Sequence, residues 1–232
     1  MRFHTGPRIF TYAIFFCVLG FFALTACAQP TPDPAPSHVS RSLAAENEIG
    51  FFGTIPMANA SYRADAVDRQ FYIFGISYNR LLVHGHFCDV RWVSEIMPAV
   101  VLREPFLKGT SIPVLSANPP STSTGVTYGM GSNPVGAQVI FLPQGKWQPF
   151  MGVHGGVTYF TRNVLSPQGS QFNFLLDGRA GMRYMLSGRR SVSIAYRFQH
   201  MSNAYTAVDN PGLDSQMIQL SYNFPFHFWR AH

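Results

Sequence analysis

The residue alternation between Gln171 and Tyr184 constrains this chain more than any other feature. Phe172, Phe174, Leu176, Gly178, Ala180, Met182 and Tyr184 fall on one side of a two-residue period. Gln171, Asn173, Leu175, Asp177, Arg179, Gly181 and Arg183 fall on the other. A helix would return its apolar positions every three or four residues, so the segment reads as a strand with two unlike faces.

The pattern recurs along the chain. Cys88, Val90, Trp92, Ser94 and Ile96 oppose Phe87, Asp89, Arg91, Val93 and Glu95. Trp147, Met151, Val153, Val157 and Tyr159 oppose Gln148, His154 and Thr158. Val192, Ile194, Tyr196 and Phe198 oppose Ser191, Ser193, Ala195, Arg197 and Gln199, and Ile218, Leu220, Tyr222 and Phe224 oppose Met217, Gln219, Ser221 and Asn223. With weaker runs near 47–54, 70–83 and 133–142, the sequence predicts eight strands. Short turns fall at His84-Gly85-His86, Pro143-Gln144-Gly145 and Ser187-Gly188-Arg189, and longer loops near 55–69, 103–132, 161–170 and 203–212. Short turns at one end and long loops at the other predict an all-β fold: an eight-stranded antiparallel transmembrane β-barrel of the outer-membrane type.

A soluble barrel that holds its apolar residues inside is the competing reading, and alternation alone does not separate the two. Composition and placement favour the membrane form. The chain is 47% hydrophobic and 15% aromatic but only 12% charged. Asp177, Arg179 and Arg183 share one face, as paired charges filling a narrow lumen would, and with Asp89, Arg91 and Glu95 they predict a plug of ion pairs in place of a pore. Aromatic residues sit toward strand ends on the other face, at Trp92, Trp147, Tyr159, Tyr184, Tyr222 and Phe224.

The N-terminal segment fits export. Arg2 and Arg8 precede an uncharged run from Ile9 to Thr25, followed by Ala26-Cys27-Ala28, which predicts a signal peptide over 1–28 cleaved after Ala28. Leu24-Thr25-Ala26-Cys27 also fits a lipoprotein box in which Cys27 would be acylated, and both readings stand. Cleavage would leave Cys88 as the one cysteine of the folded part, so no intrachain disulfide is expected. Pro30, Pro32, Pro34 and Pro36 make 29–46 an extended tether. The barrel is expected over 47–226, with a short tail at 227–232.

The face of strand seven carries the chemistry. It reads Val192, Ile194, Tyr196, Phe198, and then His200 and Ser202. Two positions apart on a strand, the imidazole and hydroxyl point the same way, on the side otherwise given to lipid. Counting back along the face of Phe224, Tyr222, Leu220 and Ile218 reaches Gln216 and Asp214. If 203–212 is the hairpin loop, Asp214 lies across from His200. Taken singly, His200 and Ser202 also read as rim residues and Asp214 as a turn residue after Pro211-Gly212. Together they are the elements of a Ser–His–acid hydrolase, with Asn203, Asn210 or loop amides as oxyanion donors.

At these residues the chain resembles a known family. His200-Met201-Ser202-Asn203-Ala204, followed by Asn210-Pro211-Gly212-Leu213-Asp214, is similar to the C-terminal signature of the lipid A 3-O-deacylases of the PagL type. The resemblance implies an outer-membrane barrel with its site on the outer wall. Such an enzyme removes the ester-linked acyl chain at position 3 of lipid A, and needs no metal or other cofactor. It carries the catalytic roles onto His200, Ser202 and Asp214, and the oxyanion roles onto Asn203 and Asn210. The family usually has glutamate as the acid, so Asp214 is one methylene shorter. The implied partners are lipopolysaccharide and the outer membrane, with no nucleic acid, and with monomer and homodimer both open. A non-catalytic barrel that binds lipopolysaccharide or supports the envelope is the alternative function.

Other motifs point elsewhere only weakly. His84, His86 and His154 lack metal-ligand spacing. Gly129 and Gly131 read as loop residues that precede no helix, which excludes a nucleotide-binding turn. Removing 1–28 leaves a formal charge of +4 over 204 residues, within the ordinary range.

Overall fold

The structure, a computed structural model, describes residues 42–57, 68–115, 117 and 121–227. The predicted signal peptide and most of the predicted tether and tail lie outside these residues. Eight antiparallel strands close into a barrel in chain order, each paired to the next and β1 to β8. They are β1 (Asn47–Pro56), β2 (Gln70–His84), β3 (Cys88–Leu107), β4 (Thr122–Phe141), β5 (Trp147–Phe160), β6 (Phe172–Met185), β7 (Ser191–Ser202) and β8 (Leu213–Pro225). Closure leaves no sheet edge, which a wall immersed in hydrocarbon requires.

The two faces divide as the alternation predicts. On β6, Phe172, Phe174, Leu176 and Met182 are exposed, while Asn173, Asp177, Arg179 and Arg183 are buried. Apolar residues out and charges in is the reverse of a water-soluble barrel, so the outer wall is built for lipid. The lower lumen, toward the short turns, is a network of ion pairs. Glu48 pairs with Arg91 at 3.0 Å and with Arg183, and Glu95 with Arg179 at 2.8 Å and Arg197 at 3.3 Å. Asp177 holds Arg197 at 2.7 Å, Arg179 at 3.3 Å and the His154 ring at 3.1 Å, and Asn133 donates to both Glu95 and Asp177 at 3.0 Å. Toward the long loops the filling changes character. Phe52, Phe71, Met97, Leu102, Phe160, Leu165, Leu175, Met201 and Met217 belong to one apolar core there.

β3 and β4 are longer than the sequence suggests. The predicted loop over 103–132 is in large part paired strand, and Gly129 and Gly131 lie within β4 instead of in a loop. The reason is packing. A Cβ on Gly125 would stand 2.0 Å from the Phe106 ring, one on Gly129 2.8 Å from Phe160, and one on Gly131 2.9 Å from Met97. Large inward residues of neighbouring strands occupy the space left at these glycines, so in the first half of β4 Thr127 is the main inward side chain left to show the alternation. Beyond Arg103 and Gly129 the β3–β4 hairpin pairs with neither β2 nor β5, and it rises past the rest of the barrel rim. Among the described residues its outer side is met by residues 112–114, through a Phe106–Pro113 bridge and a Val114 N–H donated to the Pro105 carbonyl.

A bulge on β4 lies between Ser132 and Val135, opposite Gly156. It aims Asn133 at the lumen carboxylates. A Cβ on Gly156 would meet the Ser132 carbonyl oxygen at 2.0 Å and the Asn133 Cα at 2.7 Å. Backbone yields less readily than a side-chain tip, so Gly156→Ala is expected to destabilise the barrel by about 1–3 kcal/mol. Urea unfolding of the detergent-folded protein measures it; an unchanged midpoint would show that the bulge absorbs the methyl group.

One expectation at the short-turn end is corrected. Cys88 is disulfide-bonded, its partner lying outside the described residues, so the expectation of a lone thiol fails. Residues 42–46, the end of the predicted tether, are seated on the barrel mouth. Ser42 Oγ donates to Asp89 at 2.8 Å, Leu43 N to the Pro143 carbonyl at 3.0 Å, and Arg91 and Arg189 donate to the carbonyls of Ala45 and Ala44. His84 belongs to the same rim, its Nδ1 2.6 Å from Asp89.

Candidate active site

β7 keeps its outward phase to the end. Val192, Ile194 and Tyr196 are exposed, and His200 and Ser202 continue that face at the long-loop end of the strand. β6 supplies Leu176 beside His200 and Phe174 beside Ser202. On the other side β8 places Asp214 directly opposite His200. His200 Nδ1 stands 2.7 Å from Asp214 Oδ1, so the shorter acid reaches the ring. The two partners differ in exposure: the His200 side chain is 41% accessible and that of Asp214 only 4%. The carboxylate is therefore a sheltered acceptor behind a ring that faces outward. Among the described residues, neither His200 Nε2 nor Ser202 Oγ has a hydrogen-bond partner, so both are available to a substrate.

The backbone under these groups is held from inside. Met201 points inward between His200 and Ser202 and is 1% exposed, packed in the apolar core with Leu175, Leu213 and Met217. Close packing there limits how far the outward groups drift.

The loop 203–212 is tied through Asn203. Its N–H donates to Asn210 Oδ1 at 3.0 Å, and its Nδ2 to the Asp209 carbonyl at 2.6 Å. Its Oδ1 accepts from Tyr205 N at 2.9 Å, and its carbonyl from Thr206 Oγ1 at 2.7 Å. Ala204 and Tyr205 take positive φ of 52° and 62°, so the chain doubles back directly after Ser202. Both Asn203 donors are thus spent within the loop. Asn210 uses its oxygen there and keeps its amide nitrogen without a partner among the described residues.

A second loop, 161–171, leans on the first. Ser166 Oγ donates to Asp209 Oδ2 at 2.9 Å, and Asp209 N to the Gln168 carbonyl at 3.2 Å. Leu165 N in turn donates to Glu104 Oε2 at 3.0 Å, and Arg69 donates to the carbonyls of Leu165, Val114 and Leu115. Arg69 and Glu104 form a fully buried pair at 3.7 Å above the barrel rim. Burial works against both charges, lowering the Arg69 pKa and raising that of Glu104, while their mutual attraction opposes the shift. Sequence reasoning missed this brace, because Arg69, Glu104 and Ser166 lie far apart in the chain and share no motif.

Among the described residues no three His, Cys, Asp or Glu side chains converge as metal ligands. His154, read from sequence as a lumen residue, is buried there against Asp177.

Residues 111–223 match the family model of lipid A 3-O-deacylase (PagL). No curated protein matches the chain. Among solved structures, the outer membrane enzyme PagL is 17% identical with a TM-score of 0.52, covering 76% of this chain and 99% of its own. Neisserial surface protein A is 13% identical with a TM-score of 0.47, over 78% of this chain and 98% of its own. OprG from Pseudomonas aeruginosa is 14% identical with a TM-score of 0.45, over 80% and 100%. At these identities the structural likeness speaks to the fold alone.

Proposed function

We propose, for a barrel whose residues 111–223 match the lipid A 3-O-deacylase (PagL) family, that it removes the 3-O-linked acyl chain of lipid A in the outer leaflet. One observation carries the reading. A sheltered carboxylate stands 2.7 Å from an imidazole on a face otherwise given to lipid, and a serine is the next outward residue. Polar groups on a lipid-facing wall are unfavourable, though the cost falls to about 0–1 kcal/mol near the interface. A wall that keeps three of them together at its rim has a use for them.

The reaction follows from the placement. Ser202 Oγ attacks the ester carbonyl carbon as His200 Nε2 takes the hydroxyl proton. Asp214 accepts the Nδ1–H bond, which fixes the tautomer and stabilises the imidazolium. The tetrahedral intermediate places its negative charge on the former carbonyl oxygen. Asn210 Nδ2 and the loop amide of Ala204 serve as its donors, and Asn203 acts by shaping the loop. His200 returns the proton to the departing sugar hydroxyl, leaving the acyl group on Ser202. Water, deprotonated by the same ring, then releases the fatty acid.

Mass spectrometry of lipid A from cells producing the protein tests the reading. The parent is expected to remove one acyl chain, and Ser202→Ala to slow that removal by roughly 10³-fold or more. The same product formed at the parent's rate by Ser202→Ala would overturn the assignment of the nucleophile. Lipid A untouched by the parent would mark a non-catalytic barrel.

A further inference from the structure

We infer that loop 161–171 positions the nucleophile, with Ser166 and Asp209 as its positioning residues; the inference rests on Ser202 being that nucleophile. Ser202 ends β7, and the chain leaves it through Asn203, whose polar atoms are all bound within loop 203–212. That loop is internally knotted, but a knot fixes shape without fixing place. Its two ends are fixed by the strand ladder at Ser202 and Leu213. Between them its place is set by contacts with loop 161–171, at Ser166 Oγ to Asp209 Oδ2 and Asp209 N to the Gln168 carbonyl. Asp209 is also the residue whose carbonyl takes the Asn203 amide, so a displacement of Asp209 passes to the residue after Ser202.

Loop 161–171 is itself held where a surface loop ordinarily is not. Val164, Leu165 and Ser166 are each at most 2% exposed. Leu165 adopts φ 73°, unfavourable for a leucine, and there its N–H reaches Glu104 and its carbonyl reaches Arg69. The strain is met by three returns at once: both backbone groups are bonded and the side chain joins the apolar core. Arg162 adds a contact over the Phe106 ring at 5.5 Å. The line of contact therefore runs from the buried Arg69–Glu104 pair through Leu165 and Ser166 to Asp209, Asn203 and Ser202. The barrel is held by its strand ladder and lumen ion pairs, so cutting the Ser166–Asp209 contact shifts the serine without unfolding the wall. A displacement of about 1 Å at a reacting atom can cost roughly 10²-fold in rate.

The full-length protein in detergent–lipid A micelles tests this with Ser166→Ala, Asp209→Ala and Asp209→Asn. The last keeps an oxygen to accept the Ser166 hydroxyl. Three readouts are taken: kcat and KM, the rate at which a fluorophosphonate labels Ser202, and the heat-modifiable gel mobility of the folded barrel. Ser166→Ala and Asp209→Ala are expected to lower kcat and labelling about tenfold, with KM within about twofold and mobility unchanged. Asp209→Asn is expected to stay near the parent. Unchanged kcat and labelling in the alanine variants would overturn the inference, as would a loss that tracks lost folded barrel or an Asp209→Asn variant no better than Asp209→Ala. A parent that neither turns over lipid A nor labels at Ser202 would defeat the nucleophile assignment first, which is a separate result.

Discussion

Replacing Asp214 with alanine is expected to lower ester hydrolysis about 10³–10⁴-fold while the barrel stays folded. The carboxylate lies directly across the β7–β8 ladder from His200, 2.7 Å from Nδ1 and almost wholly covered. Without it, nothing else among the described residues holds Nδ1–H, so the imidazole loses both its preferred tautomer and the charge that stabilises its protonated form. The barrel tolerates the change because Asp214 belongs to the outward face and none of the lumen ion pairs depends on it. Asp214→Glu probes reach. The shorter acid already closes the gap from a directly opposed position, so an added methylene must fold back, and a loss of about tenfold is expected from the misplacement. Steady-state hydrolysis of purified lipid A by the two variants measures both effects. Asp214→Ala within tenfold of the parent would show that His200 works without an acid.

The largest expected effect on stability lies inside the barrel. Asp177→Ala should destabilise the fold by about 3–5 kcal/mol, the usual consequence of removing one partner from a buried charged set. Asp177 accepts from Arg197 at 2.7 Å, Arg179 at 3.3 Å and Asn133 at 3.0 Å, and it holds the His154 ring. Its loss leaves Arg179 and Arg197 sharing Glu95 alone, with little water to take up the excess charge. The effect should not add to that of Glu95→Ala, since the two carboxylates serve the same arginines. Denaturant unfolding of the single and double variants in detergent checks both statements. A loss below about 1 kcal/mol would mean that solvent already screens these charges.

Much of this architecture was legible because a strand between lipid and a charged lumen must alternate. β6 is the clearest instance, its arginines and aspartate facing one way and its aromatic and aliphatic residues the other. The juxtaposition of His200, Ser202 and Asp214 was legible for the same reason: period two fixes the face, and a hairpin loop of known extent brings the acid opposite the ring. The first half of β4 was not, since Gly125, Gly129 and Gly131 yield their inward volume to Phe106, Phe160 and Met97 and so resemble a loop. The setting of Cys88 was also missed, because the other two cysteines, Cys17 and Cys27, fall within the segment read as a cleaved leader. The brace of Arg69, Glu104 and Ser166 acts largely through backbone carbonyls and amides, which have no signature in residue types. Asn203 was read as an oxyanion donor, yet its atoms turn to the loop's own backbone, a choice that only the folded loop reveals.

Because His200 and Ser202 face away from the barrel axis, a lipid acted on there as proposed would arrive sideways, by lateral drift within one leaflet. Encounters are then two-dimensional. The quantity that sets their frequency is the fraction of neighbouring lipids that fit, not a concentration in the surrounding fluid. Products of the proposed reaction would depart by the same planar exchange, with no channel to clear, so membrane fluidity and crowding would act on such a site as viscosity acts on an enzyme in solution.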